Sequence, residues 1–168
     1  MNNEIRFELM QMSDASSVAA LYRDTIFEHH DARFKAIFVT AEHIRKITTE
    51  GVTIIVAKHG QKVIGAIGLA DSYSRHNYSA SETQLQGMLL GVAKSARKKG
   101  VARNLIAAAV NVAAAGGYDS ISAAVLKHNT KMQKLVSTMP NVRITGEMSN
   151  GGEPAVLMYL PINNDKDA

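Results

Sequence analysis

The chain opens with alternation. Ile5, Phe7 and Leu9 stand against Arg6, Glu8 and Met10, the period of a half-buried strand. Ser13-Asp14 then supplies N-cap chemistry, and the spacing becomes helical through Val18, Leu21, Tyr22, Thr25 and Ile26. The pattern blurs at Glu28-His29-His30-Asp31, as at a helix end or loop. Ala41–Thr49 returns to helical spacing, with Ile44 and Ile47 on its apolar side. Val52–Lys58 and Lys62–Ala70 are two β-rich runs, and Gly60 between them predicts a hairpin. Asp71–Thr83 is polar and Ser-rich, a loop. Gln84–Val92 reads as a strand with Leu89, Leu90 and Val92 buried. From Ala102 to Ala115 an alanine-rich helix runs until Gly116-Gly117 stops it. Ser120–Leu126 is a strand and Asn129–Thr138 a helix. After Pro140-Asn141, Val142–Met148 and Ala155–Pro161 form a final antiparallel pair.

The order is strand, helices, three strands, helix, strand, helix, two strands. It predicts an α/β (α+β) domain over residues 1–162, a mixed, mostly antiparallel sheet of about seven strands flanked by about four helices. Asn163–Ala168 is a charged tail expected to fray. At 168 residues one domain can bury a substantial core. With 46% hydrophobic and 20% charged residues, the chain is expected to be globular rather than disordered. It has no cysteine, which removes disulfides, thiolate metal sites and a thiol nucleophile. MNNEIRFELM lacks the basic-then-apolar form of a signal peptide, and no apolar run approaches a membrane span. A cytoplasmic protein is the expectation.

Net charge is +4, concentrated in Arg97–Arg103 and Lys127–Lys134. Such a balance raises nucleic acid as a partner. Aromatics are only 5% and are not interleaved with the basic residues, so a phosphate-bearing cofactor accounts for the clusters more simply. The first cluster lies in Met88–Ile106, MLLGVAKSARKKGVARNLI, where a strand runs through a basic, glycine-containing turn into a helix. Such a turn aims several backbone N–H groups at one point, and the helix dipole adds positive potential there. Arg97, Lys98, Lys99 and Arg103 add mobile positive charge. The combination suits a pyrophosphate.

Arg97-x-x-Gly100-x-Ala102, strand before and helix after, resembles the acetyl-CoA signature of the GNAT family of N-acetyltransferases. The order of elements over Ile5–Pro161 resembles that family's domain as well. The resemblance implies acetyl-CoA as co-substrate and acetyl transfer to a primary amine of a small molecule or protein. It implies that Met88–Val92 and Ser120–Leu126 splay apart to admit the pantetheine arm. Backbone groups near Leu90 and Val92 would bond its amides, with Gly91 allowing close approach or marking a β-bulge. The pyrophosphate would rest on N–H groups between Lys98 and Arg103, through Lys99, Gly100, Val101 and Ala102. Asn129 matches a further family position. Lys127 and His128 would flank the adenine or phosphate end, or simply begin a solvated helix.

Direct attack by a neutral amine requires alignment, a proton acceptor and an oxyanion donor, the last being the backbone near Val92 in the family. No metal is required, and the six His show no i,i+4 pair. The family's usual thiolate-protonating Tyr falls at Val136, which carries no proton; Ser137 is adjacent. Base candidates are Glu28, His29 and Glu82, followed by His30, Asp31, Asp71 and His76. Glu28, Asp31 and Asp71 would suit a cationic acceptor, and His76–Glu82 would serve as a lid. The resemblance also implies a homodimer, for which Ala155–Pro161 is apolar enough to pair. Two other readings stand beside the enzyme: a non-catalytic acyl-CoA-binding regulator, because of Val136, and a basic nucleic-acid-binding domain.

Overall fold

The opening alternation becomes strand β1 (Ile5–Leu9) of a computed structural model that describes residues 4–25, 40–79, 81–150 and 152–162. A short 3-10 turn (Met12–Asp14) leads into helix α1 (Ala15–Thr25). Helix α2 (Ala41–Thr48) precedes the β2 (Val52–His59) and β3 (Lys62–Ala70) hairpin. Strand β4 (Gln84–Val92), helix α3 (Val101–Ala115), strand β5 (Ser120–Leu126) and helix α4 (Thr130–Ser137) follow. Strands β6 (Arg143–Asn150) and β7 (Glu153–Pro161) close the fold. One seven-stranded sheet results, in the order β1-β2-β3-β4-β5-β7-β6. Only β4–β5 is parallel. No described helix is long and apolar enough to cross a membrane.

Two apolar layers hold the sheet. Val18, Leu21 and Tyr22 of α1 and Ile44 and Ile47 of α2 pack on Val52, Ile54, Val56, Val63 and Ala66. On the other face Val101, Leu105, Ala109 and Ala113 of α3 pack on Ile55, Ala57, Ile67, Leu85 and Ile121. The i, i+4 spacing along α3 is the helical stripe its sequence predicts. Gly65 lets α3 approach β3, since a Cβ there would lie 3.0 Å from both Leu105 Cδ1 and Val101 Cγ1. Tyr22 is wholly buried in the first layer, as core.

Three local expectations change. Asp14 does not cap α1 directly. It ends the 3-10 segment just before α1, and its Oδ2 accepts from the Gln11 N–H at 2.9 Å. Strand β7 does not offer a pairing edge for a homodimer, because β5 and β6 already flank it. The polar stretch after β3 is tied down over its first part. The Asn77 amide donates to the carbonyls of Ala70, Asp71 and Gln84, and Arg75 donates to the Glu50 carboxylate through Nε and Nη2. That anchoring argues against His76 and its neighbours forming a loose lid.

Candidate functional site

Strands β4 and β5 pair from Gln84↔Ser120 to Gly87↔Ala123 and then part. The separation expected between Met88–Val92 and Ser120–Leu126 is therefore present. A cavity of about 910 Å³ occupies the gap, lined by β4, β5, the turn before α3, and α4. Beyond Gly87, β4 also slips against β3: Met88 faces Gly68 and Gly91 faces Ala66, so Leu89 and Leu90 stand opposite one residue. This bulge centres on Leu89–Leu90, not on Gly91, and Leu89 takes a left-handed φ of 54°. Leu90 has no register partner in either neighbouring strand. Leu89, Leu90 and Val92 are half-buried rather than buried, because they line the cavity.

The basic turn closes one end. Lys98 (φ 63°) and Gly100 (φ 76°) are both left-handed, which curls the backbone N–H groups inward. The first bond of α3 runs from Asn104 N to Gly100 O, at 3.0 Å. The N–H groups of Val101, Ala102 and Arg103 therefore have no intrahelical acceptor. No acidic residue lies in the first turn of α3, so nothing there offsets its positive end. A side chain on Gly100 would meet open space, with Asn104 Nδ2 at 3.9 Å the one neighbour. Backbone conformation, not crowding, is why glycine suits this position.

The charges are less mobile than expected. Arg97 Nε donates to the Val92 carbonyl at 3.2 Å, tying the turn to the end of β4. Arg103 Nη2 donates to Thr138 Oγ1 at 2.8 Å, bridging α3 to the end of α4. Both still line the cavity, with Lys98 and Gly100, whereas Lys99 does not. Asn129 lines it too, but its side-chain oxygen caps α4, accepting from Met132 N at 3.2 Å. Lys127 leans the other way, pairing with Glu147 at 2.7 Å. Lys131 and Lys134, of the second basic cluster, are presented by α4 to the cavity beside Arg103.

The proposed bases fare differently. Glu28, His29, His30 and Asp31 lie outside the described residues. Glu82 is exposed in the turn before β4 and does not line the cavity. Asp71 accepts from the Tyr73 N–H at 3.0 Å, a turn contact. His76 Nε2 lies 2.7 Å from Glu50 Oε2. That bond, and then Arg75, hold the Glu50 carboxyl below the usual carboxylate range. Among the described residues, no carboxylate or imidazole lines the cavity. Val136 lines it with an apolar side chain, and the Ser137 hydroxyl turns away to the Lys134 carbonyl at 2.7 Å.

Tyr78, Gln86 and Tyr159 also line the cavity. The register of β5 sets Gln86 beside Ser122 and Ser122 beside Tyr159, a polar row across three strands. Strand alternation placed Tyr159 on one face in principle, but only the pairing of β7 with β5 shows what it faces.

Proteins of known structure share this architecture. An N-acetyltransferase from Staphylococcus aureus Mu50 superimposes with a TM-score of 0.77 at 19% identity, covering 95% of this chain and 99% of that one. YncA from Salmonella typhimurium, solved with its cofactor acetyl-CoA, gives 0.76 at 15% identity over 96% and 95%. PaiA N-acetyltransferase from Thermoplasma acidophilum, in complex with coenzyme A, gives 0.72 at 11% over 94% and 99%. Among curated protein sequences none matches. The family model for the acetyltransferase (GNAT) family matches residues 17–138, a span that holds the parted strands, the basic turn and α4. The chain belongs to the GNAT family of acetyltransferases.

Proposed function

We propose that the protein is an acetyl-CoA-dependent N-acetyltransferase acting on a primary amine by direct attack. One observation carries this reading: the gap between β4 and β5 leads to a helix N-terminus with three N–H groups lacking intrahelical acceptors and a basic rim. The residues suit the ligand at both ends. Val101, Ala102 and Arg103 N–H groups, with Lys98, would hold the pyrophosphate. The apolar gap between Leu90 and Ala124 would take the thin pantetheine arm, and the bulge at Leu89–Leu90 leaves backbone groups out of the ladder to bond its amides.

In that arrangement the amine nitrogen attacks the acetyl carbonyl carbon. The carbon–sulfur bond breaks, the acetyl group passes to nitrogen, and coenzyme A leaves as the thiol after taking up a proton. The chain's contribution is alignment and a site that excludes water around the thioester. The amine's proton passes to water. The acceptor is a small-molecule or protein amine.

The apolar Val136 and the lack of a described carboxylate or imidazole at the cavity favour a second reading, an acyl-CoA-binding protein without turnover. Thermal unfolding with acetyl-CoA, and with ATP as phosphate control, tests the shared part. Ligand at 100 times its Kd stabilises by about 2.7 kcal/mol. A shift with acetyl-CoA alone is expected, and its absence would remove both readings. Thiol release across an amine panel then separates them.

A further inference from the structure

Gln86 is 3% exposed, yet it lines the cavity. It stands on the second-last paired rung between β4 and β5, just before the strands part. Ser122 Oγ donates to its Oε1 at 3.1 Å, which fixes the carboxamide. The amide nitrogen has no hydrogen-bond partner among the described residues. Open to the cavity, this N–H is free to meet a ligand atom with a lone pair.

Its face of the sheet indicates which ligand. Gln86 pairs with Ala70, which belongs to the layer under α1 and α2. The basic turn leads into α3, on the opposite face. Under the acetyltransferase reading, on which this inference rests, the thioester enters from the α3 side. Gln86 therefore faces the acceptor. The amine's own lone pair must point at the acetyl carbon to react. The N–H of Gln86 must then meet a different atom of the acceptor, an oxygen close to the amine.

We infer that Gln86, oriented by Ser122, selects acceptors that carry a carbonyl or carboxylate oxygen next to the amine-bearing carbon, as α-amino acids and peptide N-termini do. Gln86 is a specificity-determining contact and Ser122 a positioning residue.

Calorimetric binding to protein saturated with coenzyme A tests this, with alaninamide and isopropylamine as probes. The parent is expected to prefer alaninamide by about tenfold, the size of one neutral hydrogen bond. Gln86→Leu should erase the preference at unchanged acetyl-CoA affinity. The two amines differ in basicity, but that difference cancels when parent and variant are compared at one pH. Should Gln86→Leu misfold, Ser122→Ala should reduce the preference and Ser122→Thr restore it. Equal or undetectable binding of the two amines by the parent overturns the inference, as does a preference that survives Gln86→Leu. So does a loss of acetyl-CoA affinity in Gln86→Leu, which would place the amide on the cofactor. Failure of the parent to bind acetyl-CoA at all is a separate result and removes the underlying function.

Discussion

The two halves of the sheet are built to different rules. Strands β2 and β3 are covered on both faces, by α1 and α2 on one side and α3 on the other, and are buried almost throughout. Beyond β4 the cover thins. Helix α3 buries four residues completely or nearly so, while α4 buries none. Met132, Leu135 and Val136 of α4 lie over the cavity instead of over a closed sheet. The first half is packed as core on both faces, while in the second two strands are held apart. A gap in a sheet forfeits ladder bonds and apolar contacts, so it survives only beside a part that is stable without it.

The sharpest way to break that contrast is a matched pair of truncations. Leu105 is fully buried under α3. Leu105→Ala should cost about 2–5 kcal/mol, the range for a large-to-small change in a packed core. Leu135→Ala on half-buried α4 should cost under about 1 kcal/mol in the free protein. Urea unfolding of both variants checks this. Equal losses would show α4 to be part of the core and the division between halves to be false.

The same division governs what the sequence could show. In the first half, burial enforces periodicity, so the β2–β3 hairpin, α2 and the stripe along α3 stood out from residue pattern. Gly100 was legible because a left-handed turn leaves a compositional mark. In the second half, function depends on pairings that no local pattern carries. Leu89 gives no hint of its positive φ, and Gly91 drew the bulge to itself because glycine is the usual marker. Gln86 looked like an ordinary strand residue until β5 set Ser122 beside it. Glu82 attracted attention as a charge near the strand, but one turn of backbone turns it to solvent. Arg97 and Arg103 read as free charges because their acceptors, the Val92 carbonyl and Thr138, are contacts of the folded state.

The first half holds one ionic device of its own. Lys58, 5% exposed at its side chain, lies 2.9 Å from Asp14 Oδ1 and 3.0 Å from Glu8 Oε1. It fastens the 3-10 turn and β1 to β2. Lys58→Met strands the Asp14 carboxylate in a site where its side chain is 12% exposed. Breaking a buried pair costs about 3–5 kcal/mol, and the water left to both carboxylates reduces this to about 2 kcal/mol. Burial opposes the charged form of Asp14, but hydrogen bonds from Lys58 and the Gln11 N–H outweigh it and hold the carboxyl below its usual value. A depressed folded-state value stabilises above the unfolded value of about 3.9 and is lost as pH falls through the folded one. Stability of the parent should therefore decline from about pH 5 downward, and Asp14→Asn should flatten that decline. Chemical denaturation between pH 3 and 7 reads the slope. An unchanged slope in Asp14→Asn would remove the device.

A modest stability effect should fall at the seam itself, and there ligand binding changes most. Gly100→Ala places a Cβ in open space but on a φ of 76°, so strain alone should cost about 1 kcal/mol. Gly100→Glu carries the same backbone strain and adds a negative charge where the N–H groups of α3 converge. The two variants should thus melt at similar temperatures without ligand. They should diverge with acetyl-CoA: Gly100→Ala should retain most of the ligand-induced shift, and Gly100→Glu should show none. Comparing them separates the turn's role in folding from its role in holding an anion. If both variants lose the shift, the left-handed geometry itself forms the binding surface. If both keep it, the anion sits elsewhere along the cavity, with Arg103, Lys131 and Lys134 the basic groups that remain to hold it.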